Sequence, residues 1–172
     1  MTTSTNPPAG TENIELAGPE TPIERLLATF MVGDTHFGVD ALQVQEVLRH
    51  QPMTTVPLAP PDIRGLINLR GQVVTAMDLR RRLDIEGETD PSEAMNVVVR
   101  TDDGPISFLV DAIGDVLDTS GRELHPAPET LREPLRSLVT GVHQLDEDLL
   151  LVLDVKATCR PAGRGSSQVQ AA

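Results

Sequence analysis

The sequence predicts a mainly β protein of the barrel or sandwich type. Short runs of Val, Leu and Ile alternate with polar residues, and Gly and Pro punctuate them at close intervals. Strand–helix–strand alternation is absent, which argues against a parallel α/β sheet. The apolar share is 39%, with no Trp or Tyr and only Phe30, Phe37 and Phe108 as aromatics, so the core must be built from aliphatic side chains. A chain of 172 residues fits one domain, or two small subdomains sharing a core.

Residues 1–22, rich in Thr, Pro, Gly and Glu, read as a disordered arm. Residues 157–172 read as a flexible tail, which leaves 23–156 as the folded unit. Within it, residues 27–33 and 36–39 flank Asp34-Thr35 as a hairpin. Asp40 then stands as the N-cap of a short helix with Gln43 completing a capping box, and Val44, Val47 and Leu48 recur at helical spacing. Pro57, Pro60 and Pro61 make a constrained connection into residues 62–80, which read as strand, glycine turn, strand.

A second hairpin follows. Met95, Val97 and Val99 alternate with polar residues, Asp102-Asp103-Gly104-Pro105 turns the chain, and Ile106, Phe108 and Val110 return. Residues 113–117, 138–142 and 149–155 supply further strands. Leu149-Leu150-Leu151-Val152-Leu153 is apolar on both faces and predicts a central strand.

The net charge of −12 opposes phosphate binding, and the scarcity of aromatics leaves few of the stacking platforms single-strand binders use, so the composition disfavours nucleic acid and no such partner is expected. Arg64, Arg70 and Arg80-Arg81-Arg82 read as solvated positions balanced by Asp62, Asp78 and Asp84. Cys159 is the single cysteine, placed in the tail beside Arg160, so neither an internal disulfide nor a thiolate metal cage is available. His36, His50, His125 and His143 are scattered without metal-ligand spacing. No phosphate loop, dinucleotide fingerprint or nucleophile elbow is present, and Ser107 and Ser137 have no neighbouring His. No catalytic residue, metal or cofactor is expected. No secretory signal and no apolar run of membrane-spanning length is evident, so a cytoplasmic chain without direct membrane insertion is expected.

The most informative stretch is Asp62-Ile63-Arg64-Gly65-Leu66-Ile67-Asn68-Leu69-Arg70-Gly71, running on through Val73, Val74, Asp78 and Leu79. It displays polar groups at a turn without visible reaction chemistry, which suits recognition. Asn68 to Gly71 closely resembles the Asn-Leu-Arg-Gly hallmark of the CheW-type chemotaxis coupling proteins. The resemblance covers residues 25–155 in order. Phe37-Gly38-Val39-Asp40 and Val44-Gln45-Glu46-Val47 resemble the family's opening and first helix. Phe108-Leu109-Val110-Asp111 and Asp115-Val116-Leu117 resemble its second apolar block, and residues 124–129 and Thr140-Gly141-Val142 continue the match.

The resemblance implies two small five-stranded SH3-like β-barrel subdomains packed on a shared hydrophobic seam, with short helices. It implies a non-enzymatic, stand-alone adaptor of signal transduction. Such an adaptor links the cytoplasmic tips of chemoreceptors to the regulatory domain of a CheA-type histidine kinase, in membrane-associated arrays where other CheW-like domains join rings. A paralogue serving surface motility would share the motif. From other classes, a small-molecule-binding barrel would need a wide apolar cavity, and an enzyme would need chemistry the sequence does not display.

The partner-binding candidates are Val44, Glu46, Arg64, Gly65, Asn68, Leu69, Arg70, Gly71, Leu109 and Val110. Glu46 and Arg70 carry opposite charges at positions whose family equivalents pair across the fold. Gly65 and Gly71 read equally as simple turn glycines or as sites of close approach. Val44 and Leu109–Val110, near the receptor groove by resemblance, read equally as core, and Asn68 as a residue bonding its own turn. The longer arm and the basic tail depart from many relatives.

Overall fold

The computed structural model describes residues 26–161, so the expectations for residues 1–22 and for most of the tail lie outside the described chain. Eleven strands form two sheets. In chain order they are β1 (Leu26–Val32), β2 (Thr35–Asp40), β3 (Val44–Leu48), β4 (Ile63–Leu69), β5 (Gln72–Asp78) and β6 (Met95–Thr101). Then come β7 (Gly104–Val110), β8 (Ala112–Asp118), β9 (Leu124–His125), β10 (Val139–Gln144) and β11 (Leu149–Leu153). Three single-turn helices interrupt them: α1 (Leu79–Arg82), α2 (Leu135–Leu138) and α3 (Val155–Cys159).

The six-stranded sheet runs β8-β1-β2-β11-β10-β9 and the five-stranded sheet β3-β6-β7-β5-β4. The second sheet therefore uses only the middle of the chain, inserted between the two parts of the first. These are the two SH3-like subdomains, the first carrying a sixth, two-residue strand beyond the five expected. Each sheet contains one parallel pair, β2 with β11 and β5 with β7.

Strand alternation sorts the core into three clusters. On β6, Val97 and Val99 face the seam between subdomains, while Val98 faces Ile67, Leu69, Val74 and Ala76 inside the second subdomain. On β11, Leu151 and Leu153 face the seam, and Leu150 and Val152 face Leu27 inside the first. β11 lies between β2 and β10 with both faces covered, as its unbroken apolar run predicts. All three phenylalanines sit in the seam. Phe30 pairs with Phe37 across the hairpin with ring centroids 6.1 Å apart. Such a pair adds about 0.5–1.5 kcal/mol to the effect of burial.

Both predicted hairpins form, with Gly33-Asp34 and Asp102-Asp103 at their turns. The predicted helix after Asp40 does not. The Asp40 side chain does accept the Leu42 N–H, but it caps only a 3₁₀ turn, Ala41–Gln43, and Val44–Leu48 is an edge strand. The register explains the misleading spacing. Val44 pairs with Val99 and Val47 with Val97, because Gln45 is bulged out of the ladder between Val44 and Glu46. A bulge shifts the face pattern by one residue, so a three-residue interval that imitates a helix lands on one face of a strand.

Of the Arg80–Arg82 run only Arg81 is exposed, and two of the expected acidic neighbours are in place, Asp78 at 3.7 Å from Arg81 and Asp62 at 3.8 Å from Arg82. Arg82 is buried and donates to the carbonyls of Ala157, Thr158 and Arg160 at the end of α3. Arg81 donates to the Pro61 carbonyl, and Arg80 crosses to Asp111. Arg82, and one arm each of Arg80 and Arg81, thus serve carbonyls at helix ends and loops, where these lack partners of their own.

Candidate partner-binding surfaces

The Asn68–Gly71 turn is a two-residue hairpin loop between β4 and β5. Arg70 has φ 54° and Gly71 φ 86°, the left-handed pair that matches the twist of a tight hairpin. Gly71 takes this conformation at no cost; an arginine does not. Asn68 Oδ1 accepts the Gly71 N–H at 2.9 Å, which is the structural job foreseen for it. Asn68, Arg70 and Gly71 are all exposed.

Arg70 Nη2 donates to Glu46 Oε2 at 3.1 Å, with Arg70 84% exposed and Glu46 17%. Glu46 belongs to β3, a strand rather than the predicted helix, and β3 is one edge of the five-stranded sheet while β4 is the other. The ion pair thus joins the two edges. Segment 49–62 helps, because Thr54 exchanges two backbone hydrogen bonds of 2.8 Å with Leu66 on β4. Gly65 permits that approach: a Cβ there would stand 2.5 Å from the Thr54 carbonyl oxygen. Its role is close packing of backbone.

Arg64 is turned into the fold. Its Nε lies 3.2 Å from Asp78 Oδ2, at an angle too poor for a hydrogen bond, and its Nη2 donates to the Thr89 carbonyl at 3.2 Å. Asp78 is fully buried, so a cation beside it offsets the cost of burying its carboxylate. Asp78 also caps α1 through the Arg81 N–H.

Leu69, Leu109 and Val110 are core side chains, not surface contacts. Leu69 points with Ile67 into the second subdomain. β7 is the middle strand of its sheet; Val110 faces the seam between subdomains, and Leu109, on the other face, is equally buried. Ser107 on the same strand spends its hydroxyl on buried Asn96.

Val44 is half-buried at a cleft between the subdomains. The cleft, about 190 Å³, is walled by Val44 and Val47 of β3 on one side and Ile113, Gly114 and Val116 of β8 on the other. Its floor includes Phe30 and Val97. β8 carries a bulge like that of β3: Ala28 pairs with Val116 and Phe30 with Ile113, so two residues of β8 oppose Thr29 alone. The bulge brings Ile113 and Val116 to one face. Gly114 makes room there, since a Cβ would stand 2.4 Å from Thr29 Oγ1, which donates to the Asp115 carbonyl. The sequence reading missed Val47, Ile113 and Val116 as a set; the signal was apolar residues three apart within β-type runs.

Cys159 belongs to α3 and is half-buried, not in a free tail. Burial pushes its thiol up to about 12, with Asp154 adding to the effect and Arg82 opposing it. No group of three or more His, Cys, Asp or Glu side chains is placed to hold a metal among the described residues. No described helix is long and apolar enough to cross a membrane.

The family profile of the CheW-like domain matches residues 27–161. The chain belongs to the CheW family. It is 30% identical over 142 residues to the chemotaxis protein CheW of Klebsiella aerogenes, covering 83% of this chain and 84% of that one. It is 30% identical over 131 residues to CheW of Rhizobium meliloti, covering 76% and 84%. The fold is that of the scaffolding protein TtCheW from Thermoanaerobacter tengcongensis, with a TM-score of 0.70 and 23% identity over 81% of this chain and 95% of that structure. As a CheW-family protein the chain is a non-enzymatic scaffold that couples chemoreceptors to a CheA-type histidine kinase in chemotaxis.

Proposed function

We propose that the two partners meet separate surfaces. The cleft between β3 and β8 receives a helix of the chemoreceptor tip, and the Asn68–Gly71 turn, with Arg70 steadied by Glu46, engages the regulatory domain of the kinase. The observation that carries the first assignment is the facing of Val44 and Val47 by Ile113 and Val116 on two edge strands. An apolar cleft between two edge strands suits the apolar face of an amphipathic helix. For the second, a charged fork in a strained, exposed turn is a feature that folding alone does not require.

With no Tyr or Trp to anchor either contact, each pairwise affinity falls in the roughly micromolar range of transient complexes. Multivalent assembly at the receptor array, through rings that include other CheW-like domains, then supplies avidity. The chain works in the cytoplasm, recruited to membrane-associated receptors.

Calorimetry of the purified protein against the kinase regulatory domain and against a receptor-tip fragment tests this division. Protein concentration must be set without 280 nm absorbance, since Trp and Tyr are absent. Val116→Asp should abolish receptor binding and spare the kinase, and Arg70→Ala should do the reverse. Loss of both partners in either variant, with folding intact, would overturn the two-surface assignment.

A further inference from the structure

Within the described residues the chain passes between subdomains twice. The first passage is the 3₁₀ turn Ala41–Gln43; the second is a single residue, Asp111, between β7 and β8. The first passage lines the cleft through Ala41, and the second leads, through Ala112, into its Ile113–Gly114 wall. Whatever fixes Asp111 fixes where β8 starts relative to the second subdomain.

Asp111 is held from both sides. Its N–H donates to the Met31 carbonyl at 2.9 Å, and its carboxylate accepts the Gly33 N–H, both in the first subdomain. The same carboxylate oxygen accepts from Arg80 Nη2, which comes from α1 beside the second sheet. Arg80 is itself fixed, because Nη1 donates to the Glu86 carbonyl at 2.7 Å and Nε to Thr89 Oγ1 at 3.3 Å. Glycines flank the guanidinium: a Cβ at Gly87 or Gly33 would stand 2.9 or 3.3 Å from Nη1. All three nitrogens of a rigid planar fork thus donate, in a slot closely lined by glycine backbone.

We propose that Arg80 is a positioning residue for partner binding. Its contact with Asp111 latches the single-residue passage and so holds the β8 wall of the cleft opposite β3. A surface ion pair of two exposed chains would contribute little; this one is mostly buried and ties α1 to the β1–β2 turn. The proposal rests on the reading of the cleft as the receptor site, and its first readout is independent of that reading.

The test is a distance between subdomains. Nitroxide labels at Gln72→Cys on β5 and Gln144→Cys on β10, both exposed strand positions, are introduced with Cys159→Ser. Double electron–electron resonance should return one narrow distance distribution for the parent. In Asp111→Asn, which keeps an acceptor for the Gly33 N–H, and in Arg80→Gln, the distribution should broaden. Arg80→Lys, which keeps the charge, should narrow it again in part. Receptor-tip Kd should rise about tenfold in the two disrupted variants, with kinase-domain Kd unchanged. A purely structural role would lower the melting temperature without altering the distribution, so identical distributions in Asp111→Asn and Arg80→Gln overturn the latch. Broadened distributions with unchanged receptor affinity would keep the latch and overturn the cleft assignment.

Discussion

Arg70 and Glu46 meet at 3.1 Å across the two edges of the five-stranded sheet, and the arginine does so from a left-handed backbone conformation. The contact sits on an arginine that is largely solvated, so it contributes about 0–1 kcal/mol. Asn accepts the left-handed region more readily than Arg. Arg70→Asn should therefore leave stability within about 0.5 kcal/mol of the parent while weakening kinase-domain binding severalfold or more. A parallel loss of folding and binding, read by chemical denaturation and calorimetry, would sink the separation of roles.

Arg64 should behave in the opposite way. Removing it leaves Asp78 buried with only the more distant Arg81 Nε, at 3.7 Å, as a cation. We predict that Arg64→Ala costs about 1–3 kcal/mol in urea unfolding, and that binding of both partners is retained below the unfolding transition. A fully stable Arg64→Ala protein that fails to bind would return Arg64 to the interface.

Gly114→Ala forces a Cβ against Thr29 Oγ1, which is held by its bond to the Asp115 carbonyl. The expected cost is about 1–3 kcal/mol, together with weaker receptor-tip binding as β8 shifts. Thr29→Ala removes the clashing atom, so the double variant should lose less stability than the two single losses summed. Additive losses in the double-mutant cycle would contradict the clash.

Leu58 has φ 62° and a fully exposed side chain. Leu58→Asn gives up no burial and relieves the backbone, so the protein should gain about 1 kcal/mol, a rise of about 2–4 °C in melting temperature. An unchanged or lower melting temperature would show that the leucine makes a contribution beyond its own conformation.

For Cys159 the sign follows from the raised pKa. The folded state holds the thiol proton more tightly than the unfolded chain, whose value is 9.0. Its contribution to stability is complete below pH 9 and is lost as pH climbs from there towards about 12. At pH 8, iodoacetamide should alkylate the folded protein far more slowly than the guanidine-unfolded chain, because much less thiolate is present. Equal rates would contradict a buried thiol.

The sequence alone determined the β class, both hairpins, the central Leu149–Leu153 strand, the Asp40 cap and the Asn68 turn. These depend on interactions within a few residues, or on a face pattern with period two, so the local chain carries the information. The Asn68–Gly71 run likewise carries the family likeness in the sequence itself.

Tertiary structure decided which faces are outward and which charges meet. Val44 and Val47 read as helix until the pairing of β3 with β6 revealed a bulge. Leu109 and Val110 could be surface or core until β7 took the centre of its sheet. Arg64 and Arg80 looked like solvated charges, yet their partners Asp78 and Asp111 lie 14 and 31 positions away along the chain. The cleft needs β3 and β8, two edge strands from different subdomains. A side chain's direction follows from its own strand's period, but its neighbours follow from strand order and register, which long-range pairing sets and no local pattern encodes.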